Sequence, residues 1–227
     1  MISRLPRWVW AGAWLLALVA GMINVVGLLG FEHGAVSHLT GTTSLLGAAL
    51  ARAELIQATQ LFLLVFSFLA GAVLSGIIIQ DSTLKLGRHY GFVLFLEAIL
   101  LMIAVPLLQR QSHLGTYLAA CACGLQNAMV STFSGAVIRT THLSGMFTDL
   151  GIFLGHTIRG LPVDKRRLQL CFLIISGFLC GGVCGTFIFA RSGYATLYFP
   201  AILTGSAALG YTLYTLSRKP SSAVNLS

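Results

Sequence analysis

Two histidines, two acids and two asparagines are the residues of this chain whose types and spacing suit chemistry. His38 opens the stretch His38-Leu39-Thr40-Gly41, His142 opens His142-Leu143-Ser144-Gly145, and each runs on to a further glycine at the same spacing, Gly47 and Gly151. Imidazole donates, accepts or changes charge near neutral pH. A hydroxyl close behind it is suited to capping a helix start, and a glycine lets a bound group come up against backbone amides. His38, Thr40, Gly41, His142, Ser144 and Gly145 together therefore suit a small polar or anionic solute. Asn24 and Asn127, each in an apolar segment ahead of its histidine, either coordinate that solute or hydrogen-bond between helices. Arg139, just before the second stretch, is either a charge at a membrane boundary or a group that attracts anions.

Glu97 sits in the middle of an apolar run. An acid at mid-span costs about 2.5–3.5 kcal/mol on insertion scales and rarely faces lipid, so it needs a partner or a cavity. It is either a proton or cation site or an acid that fastens two helices. Asp149 is either an ion ligand or a structural acid, and with Glu97 it is the candidate for proton coupling. No pair of histidines has metal-ligand spacing on one helix face, and no cysteine joins them; neither a metal nor a cofactor is expected. An enzyme would need His38 or His142 as base and Glu97 or Asp149 as acid. The sequence offers no convincing nucleophile for it, so the chain is not expected to be an enzyme.

The elements that hold these residues are apolar helices. Of 227 residues, 56% are hydrophobic and 9% are charged, and the mean hydropathy is +0.87. That composition excludes a soluble globule and points to an all-helical, polytopic membrane protein whose first partner is the lipid bilayer. The formal charge of +8 does not point to nucleic acid, because the basic residues lie between apolar segments as topology signals do.

Six stretches are long enough to span: Trp8–Gly30, 57–79, Tyr90–Leu108, His113–Val137, Leu168–Ala190 and Tyr194–Leu216. Two others, His38–Ala51 and Thr141–Ile158, are short or interrupted by Asp149 and His156. The recurrence of the motif 104 residues on reads as an internal duplication, with repeats at about 8–110 and 113–217. The expected architecture is six spans plus two half-helices in a single membrane domain, with eight spans as the alternative. Either arrangement puts both termini on the basic, cytoplasmic side, and residues 218–227 are expected to form a disordered tail. With three spans per half the repeats are inverted, so the two motif stretches should meet near the midplane from opposite faces. Small residues at four-residue spacing, Ser67, Gly71 and Ser75 in one half and Gly177, Gly181 and Gly185 in the other, mark close-packing faces. The second is also a candidate surface for a homo-oligomer.

These same residues resemble the YoaK family of bacterial inner-membrane proteins, the group known as domain of unknown function 1275. That family's pattern has an acidic or amide residue in the first helix and a Ser-His-(Met/Leu)-Thr-Gly-Asn-Thr stretch. A later Gly-(Met/Leu)-Gln-Asn-Ala and an Arg-Thr-Thr-x-x-(Thr/Ser)-Gly-x-x-Thr-Asp-Leu-Gly complete it. Here they fall on Asn24, Ser37–Thr43, Gly124–Ala128 and Arg139–Gly151, with Asn24 where Asp is common and Thr42 where Asn is common. The resemblance implies a multi-pass protein of the bacterial inner membrane and brings no activity with it. The expected function is therefore a transporter or channel for a small polar or anionic solute, proton-coupled through Glu97. An intramembrane enzyme and a non-catalytic scaffold are the alternatives.

Overall fold

A computed structural model describes residues 7–31, 34, 36–79, 89–134 and 138–217. Among them are eight α-helices: α1 (Arg7–Leu29), α2 (Leu39–Ala51), α3 (Leu55–Ile78), α4 (His89–Gln109), α5 (His113–Ser134), α6 (Leu143–Ile158), α7 (Lys165–Ser192) and α8 (Tyr198–Ser217), with a 3-10 turn over Gly193–Leu197 between the last two. Arg4, Glu32, His33, Asp81, Lys85, Arg88, Val137 and the expected tail at 218–227 lie outside the described residues.

Four stretches are long and apolar enough to cross a membrane: Trp8–Leu29, Leu55–Ile78, His89–Gln109 and the continuous Lys165–Leu216. The last holds 52 residues, about 78 Å if straight at 1.5 Å per residue, far more than the ~30 Å of a hydrocarbon core. Gly193 breaks it with a backbone φ of +54°, and α8 turns back. α5 is absent from these four because it carries His113, Thr116, Tyr117, Gln126 and Asn127, which lower its hydropathy.

Side chains at the two ends of the bundle fix the direction of each helix. One core cluster gathers Val9 and Ala13 from the start of α1, Tyr90 and Leu94 from the start of α4, and Leu170 from the start of α7. To these it adds Ile79 past the end of α3, Met129 and Val130 late in α5, and Ala208 in α8. The other gathers Ile23 and Val26 late in α1 and Leu108 at the end of α4, with Leu64, Ala119, Leu197 and Ala201 from the earlier parts of α3, α5, the 3-10 turn and α8. So α1, α4 and α7 run one way, while α3, α5 and α8 run the other. Because α3 starts at the end where α1 stops, α2 leaves and returns to that same end. The same holds for α6, between α5 and α7.

The tightest packing is α1 on α7 and α3 on α5, with α4 lying along α8. A methyl group added at Gly181 would overlap the Leu18 carbonyl oxygen, and one at Gly21 would overlap that of Phe178. The α3–α5 pair is just as close, with Gly71 against Cys121 and Gly124 against Phe68. Backbones this close need glycine and gain dispersion contacts along the crossing. Gly177 and Gly185 extend the contact, against Trp14 and Met22. The stripe offered above as an oligomer surface is thus covered by α1 of the same chain. Of the α3 stripe, Gly71 and Ser75 are buried; the Ser67 hydroxyl turns back to the Leu63 carbonyl at 2.7 Å.

Candidate functional site

Asn24 and Asn127 hold the chain just ahead of α2 and α6. The Ser37 N–H and hydroxyl both donate to Asn24 Oδ1, at 3.3 and 3.1 Å. Asn127 Nδ2 donates to the Thr141 hydroxyl, and the Thr140 hydroxyl lies 3.2 Å from Asn127 Oδ1. Ser37 and Thr141 occupy the position immediately before His38 and His142. Asn24 thus ties down the start of α2, and Asn127 that of α6.

The second assembly continues inward. Thr140 is also 3.1 Å from Gln126 Oε1, so its single hydroxyl proton is shared between two acceptors. Gln126 Nε2 donates to Glu97 Oε1 at 3.1 Å. Glu97 is 0% exposed, and its Oε2 is buried with no hydrogen-bond partner. A polar chain thus runs from the acid in α4 through Gln126 and Asn127 of α5 to the loop before α6. Thr140 and Thr141, its joints, were not among the expected site residues; the signal for them was the Arg-Thr-Thr segment of the second motif.

The half-helix starts differ from expectation. The N-cap residues are His38 and His142, neither makes a side-chain capping bond, and Thr40 and Ser144 fall within the first turn. Their carbonyls accept instead from Ser44 Oγ at 3.0 Å and Thr148 Oγ1 at 2.9 Å. Nor do the half-helices converge: α2 packs on α3 and α6 on α7, with no packing between α2 and α6. Helices of 13 and 16 residues that each lie along a different neighbour have no shared floor on which to meet. Thr40, Gly41 and Ser144 are exposed, as is Arg139.

The two histidines also sit in unlike surroundings. His38 is half-buried, its ring edge-on to Phe178 of α7 at 6.0 Å, and burial lowers its pKa below the usual imidazole value. His142 is exposed and its ring lies over Gly145, where an added methyl group would come within 2.6 Å of Nε2. Gly41 faces open space. Asp149 is far from Glu97 in the packing: it accepts a salt bridge from Arg167 of α7 at 3.1 Å, on an exposed surface where such pairs contribute little.

Two cavities lie at opposite ends of the α1, α4, α5 and α8 bundle. The larger, about 220 Å³, is lined by Trp8, Gly12, Ala13 and Leu16 of α1, Tyr90 and Leu94 of α4, Met129 and Phe133 of α5, Ile138, and Tyr211 of α8. The smaller, about 10 Å³, has Ile23, Val26 and Gly30 of α1, Leu108, Thr116, Ala119, Tyr194 and Leu197 around it. Tyr194 fills that end. Its hydroxyl accepts from the Phe31 N–H at 2.6 Å, it lies against Gly30, and its ring meets Phe31 and Phe189 edge-on at 6.2 and 5.6 Å.

The family described as a protein of unknown function, DUF1275, matches residues 12–210. No curated protein and no solved structure matches the chain.

Proposed function

The chain belongs to the DUF1275 family, whose description assigns no activity, and from the geometry we propose a membrane transporter that moves a small solute between the α1, α4, α5 and α8 helices. Six spans and two re-entrant half-helices form its inverted repeat. The direction of the helices supports this architecture: eight spans would make α1 and α5 parallel, whereas Trp8 at the start of α1 lies 6.1 Å from Phe133 at the end of α5. Such an inversion relates the two ends of the bundle. Ala13 and Leu16 beside the large cavity then correspond to Thr116 and Ala119 beside the small one, and Val26 corresponds to Met129.

The observation that carries the transport reading is the inequality of those two ends. Repeat-related positions surround about 220 Å³ at one end and about 10 Å³, room for one water, at the other. Two similar halves held in different conformations are what alternating access requires, since exchanging the conformations exchanges the open end. Glu97 is joined by Gln126 and Thr140 to the loop before α6, and in this reading its proton occupancy is what couples to that exchange. The anion preference expected of two meeting half-helix starts has less support, because α2 and α6 do not meet. An enzyme has less still: neither His38 nor His142 is hydrogen-bonded to Glu97 or Asp149.

Purified protein in liposomes enclosing a pH-sensitive dye tests the proposal. Some members of a solute panel should drive proton movement with the native chain, and Glu97→Gln should abolish the proton signal while leaving the protein folded. A panel that produces neither solute nor proton flux would remove the transport reading.

A further inference from the structure

We propose that the large cavity binds a lipophilic organic cation, an aromatic or quaternary amine, whose charge is drawn to Glu97. The inference rests on reading that cavity as the solute's way in, and it names the class of solute. Trp8, Tyr90, Phe133 and Tyr211 stand around the cavity. Their rings are already in mutual contact, Trp8 with Phe133, Tyr90 with Phe133 at 5.6 Å, and Tyr90 with Tyr211 at 6.4 Å. Aromatic faces attract organic cations through the negative charge of their ring systems, and a wall of them also shelters apolar substituents.

What lies beneath the wall gives the charge its sign. Glu97 is the one acid in α1, α4, α5 and α8. Leu94, which lines the cavity, is one helical turn nearer the open end than Glu97 on α4, and Met129 is one turn nearer than Gln126 on α5. Leu94 and Met129, both buried, therefore stand one turn from the Glu97–Gln126 pair on the cavity side. Methionine is the flexible one and yields readily to a bound group. Beyond it Oε2 of Glu97 is enclosed without a partner, and a buried acceptor in that state is costly. A cation supplies a counter-charge once the acid gives up its proton, which a neutral apolar chain does not, and among the described lining residues none is positively charged to receive an anion.

The probe is phenyltrimethylammonium, which carries a fixed charge beside one ring, with benzenesulfonate as an anion of similar size. Calorimetry on the native chain in nanodiscs should show saturable binding of the cation and none of the anion. Glu97→Gln should weaken the cation at least tenfold. Gly12→Phe should do the same by filling the cavity; a side chain at Gly12 enters open space, so that variant keeps its fold even if the Glu97 change does not. Equal binding of the two ions, or undiminished cation binding by Gly12→Phe, would overturn the proposal. So would a tightly held phospholipid, seen by native mass spectrometry, that the cation cannot displace. Cation binding without flux of any solute in liposomes would uphold this inference and remove the transport reading. Flux of another solute without cation binding would do the reverse.

Discussion

Both bonds that Asn24 receives from Ser37 end on Oδ1, at 3.3 and 3.1 Å, so among the described residues it is the acceptor half of that amide that is used. Asn127 uses both halves, giving Nδ2 to Thr141 and placing Oδ1 beside Thr140. The two asparagines therefore differ in what a change removes. Asn24→Asp keeps the acceptor and should unfold within a few degrees of the native chain. Asn24→Leu strands two buried donors at about 1–3 kcal/mol each, and Asn127→Leu takes both halves of the amide away from the Thr140 and Thr141 hydroxyls. Both leucine variants should lower the detergent unfolding temperature clearly. If Asn24→Asp unfolds as early as Asn24→Leu, the acceptor reading of Asn24 is wrong. The sequence made both asparagines legible because each lies in the apolar segment ahead of one of the two His-Leu-(Thr/Ser)-Gly stretches. Their partners were harder to see: a hydroxyl one residue ahead of a histidine has no distinguishing spacing, and only the fold brings it back onto the preceding helix.

At the scale of elements, periodicity and length located the helices closely. The expected Tyr90–Leu108 became His89–Gln109 and Trp8–Gly30 became Arg7–Leu29, since runs of apolar residues ended by charges leave little freedom in where a helix stops. Which helix packs on which was not legible, because a stripe such as Gly177, Gly181 and Gly185 marks a face without naming its neighbour. Chain continuity resolves that. α7 runs parallel to α1, so successive glycines meet Trp14, Leu18 and Met22 in step. Adjacent glycines provide the test, because Gly181 faces the Leu18 carbonyl while Gly182 faces open space. Gly181→Ala should cost about 1–3 kcal/mol as overpacking does, with lower yield of folded protein. Gly182→Ala should be neutral on the same measurement. Equal behaviour of the two would mean that α1 and α7 are not in contact along this line.

For the whole molecule, the cavities were invisible in the sequence because each wall draws a few residues from several elements far apart in the chain. Only the structure puts Trp8 beside Phe133 and Tyr194 beside Phe31. If the proposed exchange of ends takes place, the shut end is held by what Tyr194 contributes. A net hydrogen bond is worth about 0.5–1.5 kcal/mol, and edge-on aromatic pairs about as much again. Since 1.4 kcal/mol is a tenfold change in an equilibrium, removing both should shift the balance between the ends by about tenfold or more. Ala13→Cys at the open end and Thr116→Cys at the shut end report that balance, in a chain whose five cysteines are replaced by alanine. With Tyr194 in place, a small soluble maleimide should label Cys at 13 much faster than Cys at 116. Tyr194→Ala should speed labelling at 116 and slow it at 13, because an end that opens does so at the expense of the other. Faster labelling at 116 with no change at 13 would mean that the Tyr194 end loosens by itself, and the two cavities would then be independent features of one static bundle.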